Sequence, residues 1–464
     1  MKTIYRLFVI LALSFVALNA KAQNDGMAIT LLPNSLYSNY FNPGIRVESK
    51  GMIGIGFSNI GASVYNSSVR YNNIYNFENG KAVSINANKL VNSLNEHDNY
   101  IGANISMDLL GLGYRITDKL YLDLNWRVRS NAEFHYSRDF VGFFINGNGI
   151  YMGEENYADF TFGLDINIFS EISVGLQYDI NEKLTVGVRP KLLAGVLNAT
   201  VNDDNTKIYT DSDTYEMIGD INLNTKVSSI LDADLDNLSE SVLFQEGSVS
   251  LTELMKFKDN YGFGVDFGAS YTFNEYFGVA AGVYDLGFIK WKNTKEKYVE
   301  KENVVISEPI AGDFDALLDM NLDLSELYKN LFRDVWGADT LHSADDYTTS
   351  LKTRIILQGY YELNSFARFT AISQMYYVNQ KLRPALTLAY SGSFFDILNV
   401  TANYTLSKYS GNYLGVGLGV NLAFMNIYVV TDNIMILSNI GASASKLLTS
   451  YESANLRFGI VFSL

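Results

Sequence analysis

From Tyr121 to Ser130 the apolar residues Leu122, Leu124, Trp126 and Val128 alternate with Tyr121, Asp123, Asn125, Arg127 and Arg129. A period of two belongs to a strand whose two faces meet different surroundings. The pattern returns from Phe160, where Phe162, Leu164, Ile166 and Ile168 oppose Thr161, Gly163, Asp165 and Asn167. It appears again at Ile101–Leu109 and at Phe263–Ala269, with Asp108 and Asp266 on the polar sides. In a soluble sandwich each apolar face needs a partner sheet, and the opposite face seldom combines so much glycine with isolated charges. Lipid outside and a polar lumen inside account for both. The fold class read from this is all-β, an antiparallel transmembrane β-barrel.

Composition narrows the alternatives. The 464 residues are 48% apolar and 14% aromatic with 5 Pro, which is not the make-up of a disordered chain. A net charge of −15 argues against a nucleic-acid surface, because phosphate binding needs an excess of Lys and Arg. The absence of Cys removes disulfides, thiolate metal sites and cysteine nucleophiles together. Met1 to Ala22 reads as a secretory signal, with Lys2 and Arg6 before the apolar Leu7–Leu18 and the small-residue pattern Ala20-Lys21-Ala22, so Gln23 is taken as the mature start. Beyond it no run of about 18 uncharged apolar residues occurs, which excludes helical spans.

The spacing of links gives the strand number. Very short links fall near Thr117-Asp118-Lys119, Asn181-Glu182-Lys183, Asn274-Glu275-Tyr276, Asn364-Ser365-Phe366, Asp396 to Leu398 and Met425-Asn426. Longer connections lie between them, roughly residues 66–98, 137–159, 201–259, 291–351 and 438–452, with tighter ones near 381–383 and 409–412. Short turns alternating with long loops predict about 14 strands, with both termini on the periplasmic side and the loops outward. Helical pattern in Phe314–Phe332 and Lys81–Glu96 predicts short helices in the outer loops.

Two local patterns resemble known families. Arg457, Gly459, Phe462 and Leu464 match the C-terminal insertion signal of outer-membrane barrels, with Leu464 where a terminal Phe is commoner. Asn42-Pro43-Gly44, shortly before the Gly-rich Met52–Val64, is similar to the Asn-Pro-Ala signature that precedes the first strand in the FadL family of fatty-acid channels and in the related type IX secretion protein PorV. The resemblance implies that residues 23–50 fold into the barrel as a plug or hatch and that residues 51–464 form the wall. A physical argument points the same way: a barrel of this width cannot fill its interior with wall side chains alone. A periplasmic tail is the other reading of residues 23–50.

Alternation places Asp108, Asp123, Arg127, Arg129, Asp165, Arg189, Asp266 and Arg354 on inner faces, together with Lys191 and Arg457. They read either as opposite charges paired with each other and with the plug in partly wet surroundings, or as a selectivity ladder or a polar ligand pocket. Pro190 falls on the outer face, where its missing donor points to a bulge or a gap in the wall. The acidic stretches 201–259 and 313–346 do not match an EF-hand loop, and no metal site or cofactor is predicted from them. Only His97, His135 and His342 occur, none in a nucleophile motif, so no enzyme is predicted.

The leading functional expectation is passive uptake or passage of a small hydrophobic molecule across a bacterial outer membrane. The other is an accessory barrel that docks an envelope protein in a secretion, assembly or surface complex. Passage calls for an apolar cavity leading to a wall gap; docking calls for a filled lumen and an exposed apolar patch on the long loops. Either way the partners are outer-membrane lipid and the barrel-insertion machinery.

Overall fold

A computed structural model describes residues 27–32, 35–67, 75–78, 81–203, 205–230, 254, 259–306, 341–364, 366–378, 381–407, 412–422, 424–439 and 453–463. Fourteen antiparallel strands close into one barrel. They are β1 (Gly51–Asn66), β2 (Asn99–Thr117), β3 (Leu120–Tyr136), β4 (Phe162–Asp179), β5 (Leu184–Asp203), β6 (Tyr261–Thr272) and β7 (Phe277–Trp291), followed by β8 (Thr353–Asn364), β9 (Ala367–Val378), β10 (Lys381–Phe394), β11 (Leu398–Leu406), β12 (Tyr413–Asn421), β13 (Met425–Thr431) and β14 (Ser453–Ser463). Each strand pairs with the next. β14 then pairs back onto β1, from Ser463 opposite Met52 to Ser453 opposite Tyr65.

Side-chain chemistry builds the turns. The Asn181 Oδ1 accepts from the backbone N–H groups of Lys183 and Leu184, and the Asn274 Oδ1 accepts in the same way from Tyr276 and Phe277. Asn364 Oδ1 accepts from Phe366, and Thr117 Oγ1 from Leu120. These short side chains imitate a backbone turn two or three residues on, which lets a strand reverse in very few residues. Two links differ from the sequence reading. β12 and β13 reverse before Met425, because Asn426 pairs with Asn421 inside the ladder and is buried in the lumen rather than marking a turn. β9 and β10 already pair at Val378 and Lys381, so Lys381 to Arg383 lie in the ladder rather than in the connection.

On the barrel wall, Leu176, Leu192, Leu388, Leu418 and Phe458 are exposed on the outer face, while their sequence neighbours are buried inward, and Phe263 and Phe267 are exposed outward beside the buried Gly262 and Asp266. Pro190 is also outward, but it makes no bulge. Val265 pairs with it directly, and the β4–β5 register is the same on both sides, Ser173 opposite Lys191 and Leu176 opposite Val188. The ladder skips two pairs, Val174 with Pro190 and Gly175 with Arg189, where the proline has no N–H to donate. The larger irregularity is in β1, whose register shifts between Ile55 and Asn59 against β2 and between Ile53 and Asn59 against β14. Gly56 takes φ +48° there, a conformation glycine adopts without strain.

At the loop end the strands run on past the barrel. β5 continues into pairing with Met217–Ser229, which in turn pairs with Lys295–Ile306. Two short helices sit among these extensions, α1 (Ala87–Ser93) and α2 (Arg138–Asn146). The helix expected over Lys81–Glu96 is shorter: Lys81–Ile85 pairs with Tyr75–Glu78 as a hairpin, and the helix begins only after Asn86, whose side chain accepts from the Lys89 N–H. α2 starts at a Ser137 cap and buries Phe140 and Phe143 against Tyr151, Phe160 and Phe162. The signal segment Met1–Ala22, the helical pattern at Phe314–Phe332, most of the acidic positions in both long loops, and Leu464 lie outside the described residues.

The outward face gives a stability prediction. Leu388, midway along β10, is exposed on the outer wall, so Leu388→Arg is expected to cost about 2–4 kcal/mol in a bilayer. Denaturant titration of the barrel folded into lipid vesicles measures this. A loss near zero would place Leu388 off the lipid face.

Candidate functional site

The described residues from 27 to 44 pack inside the barrel, whereas Arg46, Glu48 and Lys50 are exposed, and Met27, Ile29, Leu31, Leu32, Leu36, Tyr37, Tyr40 and Phe41 form one buried cluster with wall residues Tyr284, Ile356, Ile372 and Tyr428. The Asn42-Pro43-Gly44 stretch explains how this plug is seated. Asn42 Oδ1 accepts from the Gly44 N–H and closes a tight turn. That turn presses against wall glycines: a Cβ at Gly187 would run into the Pro43 carbonyl, and one at Gly268 or Gly282 into the Asn42 side chain. Gly44 is itself constrained, because a Cβ there would meet the Ala269 backbone. Alanine, the residue of the similar signature, does not fit at this contact. Gln177 completes the seat, with Nε2 donating to the carbonyls of Pro43 and Ile45 at 2.8 and 2.5 Å and Oε1 accepting from the Val47 N–H. Ser270 Oγ donates to the Gly44 carbonyl at 2.7 Å.

Beside this seat the wall carries a layer of buried charge. Lys191 Nζ lies 2.6 Å from Asp285 Oδ1, 2.7 Å from Asp266 Oδ1 and 3.7 Å from Glu171 Oε1. Arg129 reaches Asp285 at 2.7 Å and Glu171 at 3.1 Å. Arg127 stands between Asp108 at 3.5 Å and Glu171 at 3.7 Å, and Arg189 makes a forked contact with Asp123 at 3.1 and 3.2 Å. Arg189 Nη1 also donates to the plug carbonyl of Tyr40 at 3.1 Å. Aromatic rings of the plug and of Tyr284 cover the cations: Arg127 lies 4.2 Å from the Tyr40 ring centre, Lys191 3.9 Å from Tyr284, and Arg354 4.2 Å from both Phe41 and Tyr376. Burial among these groups holds the Tyr37 phenol of the plug well above its ordinary pKa.

Of the inward residues read from alternation, Asp108, Asp123, Arg127, Arg129, Arg189 and Asp266 meet in this layer, and Arg354 joins it through ring contacts. Asp165 is apart, near the loop end, opposite Glu133, which accepts from Tyr65 and Lys352 and lies 3.0 Å from His135. Three central groups were missed. Glu171 shares parity with Asp165 and needed only the β4 pattern followed further. Asp285 and Tyr284 are neighbours that both point inward. This occurs because the β6–β7 register shifts between Val265 and Phe267 and Asp285 adopts φ +61°, while its N–H donates to Asp266 Oδ1 at 2.9 Å. A β-bulge re-aims a side chain in this way, and period-two reading has no signal for it.

Space remains on both sides of the plug. At the turn end a cavity of about 740 Å³ is bounded by plug residues Leu31, Ser35 and Ser38 and rimmed by Arg46, Glu182 and Glu275. Toward the loop end a smaller pocket of about 50 Å³ is floored by Tyr40 and Phe41. The lining of the larger space is polar and charged in good part, and no apolar cavity leading to a wall gap appears among the described residues.

A closed, membrane-type β-barrel is thus the class of protein that the chain's own strand pairing defines. The family model described as DUF5723, a family of unknown function, matches residues 43–432, and the chain belongs to that family. No curated protein matches it. Among solved structures it is similar to the toluene transporter TodX of Pseudomonas putida, with 8% identity, TM-score 0.39, and 96% of this chain and 98% of that one covered. A FadL homologue of Pseudomonas aeruginosa gives 9% identity, TM-score 0.44 and coverages of 94% and 95%. The monoaromatic hydrocarbon channel CymD gives 9%, 0.42, and 96% and 99%.

The charge layer is testable by imbalance. Removing one partner of a buried ion pair costs about 3–5 kcal/mol because the other charge is stranded. Lys191→Met is therefore expected to destabilise the folded barrel by about that amount, and the double variant Lys191→Met with Asp266→Asn to recover part of the loss. Denaturant midpoints of the three proteins measure it, and additive losses would mean that the two groups are not coupled.

Proposed function

We propose that this protein is a plugged outer-membrane channel for a small molecule that combines an apolar body with a polar group, and that it opens by displacement of the plug. One observation carries the reading: a single stretch of the plug borders both spaces. Ser35 and Ser38 bound the cavity at the turn end, and Tyr40 and Phe41, two residues further on, floor the pocket at the loop end. What separates the two sides of the membrane is then one turn of chain and the charge layer it rests on. The plug is held by hydrogen bonds, ring contacts and close packing. Each is worth on the order of 1 kcal/mol, so a modest conformational change can release it locally.

The larger space opens among the short turns. With the loops outward, as such barrels are built, that cavity faces the periplasm and the aromatic pocket faces the exterior. Solute would enter the pocket, and movement of Tyr37–Phe41 would join it to the cavity below. No energy source is invoked, so flux follows the gradient.

Unseating the plug tests this reading. Gly268→Leu puts a side chain where Asn42 lies and is expected to raise solute flux into protein-loaded vesicles several-fold, with the barrel still folded by its heat-modifiable migration. Wild-type flux should be low and saturable. If the variant leaks no more than the wild type, the channel reading fails and docking of an envelope protein takes its place.

A further inference from the structure

The turns at the short-link end fall into two chemical halves. Asp118-Lys119, Asn181-Glu182-Lys183 and Asn274-Glu275, which join β2 to β3, β4 to β5 and β6 to β7, carry charge at exposed tips. Ile116, Ile180 and Phe273 stand behind those tips. The other three links are apolar. Leu363 and Phe366 flank the β8–β9 turn, Phe395 and Ile397 stand in the β10–β11 turn, and Leu422 and Phe424 lie between β12 and β13. All six are exposed, Phe395 at 93%. Asp396 is the one charge in these three links, and it borders the large cavity.

Wall height divides the same two halves. β2 to β5 have 17 to 20 residues, whereas β11 and β12 have 9 each and β13 has 7. At about 3.4 Å per residue and a tilt of about 40°, the 7 residues of β13 cover roughly 18 Å, short of the apolar band of about 25 Å on such barrels. The missing height has to come from the flanks of the strand. Those flanks are apolar and exposed, Leu422 and Phe424 before it and Met435 and Leu437 after it. Phe395 adds a separate sign: it takes φ +56°, a conformation that a bulky side chain rarely adopts, and its ring meets almost nothing in the protein. An aromatic ring held so in water is unfavourable twice over, and acyl chains around it remove the solvation cost.

We infer that the turns between β8 and β13 form a lipid-covered rim, in which acyl chains of the leaflet on the turn side enclose Phe366, Phe395, Leu422 and Phe424 while the turns between β2 and β7 stand in water. Lipid is the occupant because the rim continues the outward face of the wall without a break. Phe369 follows Phe366 along β9, Phe394 and Leu398 flank the β10–β11 turn, and Leu418, Val420 and Ile427 lead to and from Leu422 and Phe424, all of them exposed. The barrel therefore sits unevenly in the bilayer, with its turn end immersed on the β8–β13 side only. The large cavity shares this asymmetry: Phe366 and Asp396 border it on the rim side, and Glu182, Lys183 and Glu275 on the other. Its mouth lies against lipid along one edge and open water along the opposite edge. On the channel reading, the apolar body of a solute meets acyl chains at that mouth, but the rim itself does not rest on that reading.

The test is power-saturation electron paramagnetic resonance of the full-length protein folded into vesicles of phosphatidylethanolamine and phosphatidylglycerol. The chain has no Cys, so one introduced thiol carries a spin label without background. Labels at Phe366→Cys, Phe395→Cys and Phe424→Cys are compared with labels at Asp118→Cys, Glu182→Cys and Glu275→Cys, and Leu388→Cys is the lipid-facing reference. Oxygen, which concentrates in hydrocarbon, and a water-soluble nickel chelate are the two relaxing agents. The ratio of oxygen to chelate accessibility is expected to be several-fold higher at the three rim positions than at the three charged turns, and to match that of Leu388→Cys. Equal chelate accessibility at all six would put the rim in water and overturn the inference. Low accessibility to both agents at the rim would overturn it in favour of protein cover, from a second copy or a partner. Should Phe395→Cys not fold, the labels at 366 and 424, where φ is negative, decide. The labels report depth and not flux, so a rim found in water with Gly268→Leu flux intact removes the rim alone, whereas an immersed rim without plug-dependent flux removes the channel reading alone.

Discussion

In hydrocarbon, an unpaired backbone N–H or C=O has no water to turn to, so a sheet that enters a bilayer must leave no edge. The pairing of β14 back onto β1 meets that demand here, and the rest of the molecule follows from it. Closure fixes which face of every strand meets lipid, and with it the alternation of Leu and Phe outside with Asn, Ser and charge inside. It also fixes a circumference too wide for wall side chains to fill. The N-terminal segment occupies the remainder.

Filling a membrane-embedded lumen with charge is thermodynamically awkward, because each buried ion loses its hydration and recovers it only from well-placed partners. Around Lys191 the recovery is dense: two carboxylates within 2.7 Å, a third at 3.7 Å and the face of Tyr284 at 3.9 Å. Such a lattice adds little net stability over an apolar core of the same shape. What it supplies is specificity of position, since a shift of the plug or of one strand strands several charges together. The positive-φ Asp285 is part of that lattice, and its conformation is maintained by Lys191, Arg129 and the Asp266 contact around it.

Much of the wall was legible in the sequence, because strand parity and turn chemistry are local. Leu122 to Arg129 reveal their faces without any partner strand, and Asn181 and Asn274 announce reversals through hydrogen bonds to residues two and three ahead. Legibility ended where a feature depends on a neighbouring strand. The bulge that turns both Tyr284 and Asp285 inward exists only relative to β6, and the kink at Gly56–Ser58 only relative to β2 and β14. Asn426 was misread for a related reason: an Asn facing a polar lumen looks, in one dimension, like an Asn that makes a turn. The plug was approached through the Asn42-Pro43-Gly44 resemblance, but its contacts were out of reach, since nothing in Tyr40 or Phe41 names the arginines they cover.

The seat of the plug is defined by atoms that are missing. Gly187, Gly268 and Gly282 come from three different strands, and together with Gly44 they leave a depression into which one turn of chain descends. A depression of this kind cannot drift one residue at a time, because any methyl group added on the wall must be answered by removal of bulk from the plug. Wall and plug should accordingly be inherited as a matched set. A chimera that joins the hatch of one relative to the barrel of another would be ill-fitting even where each half is intact.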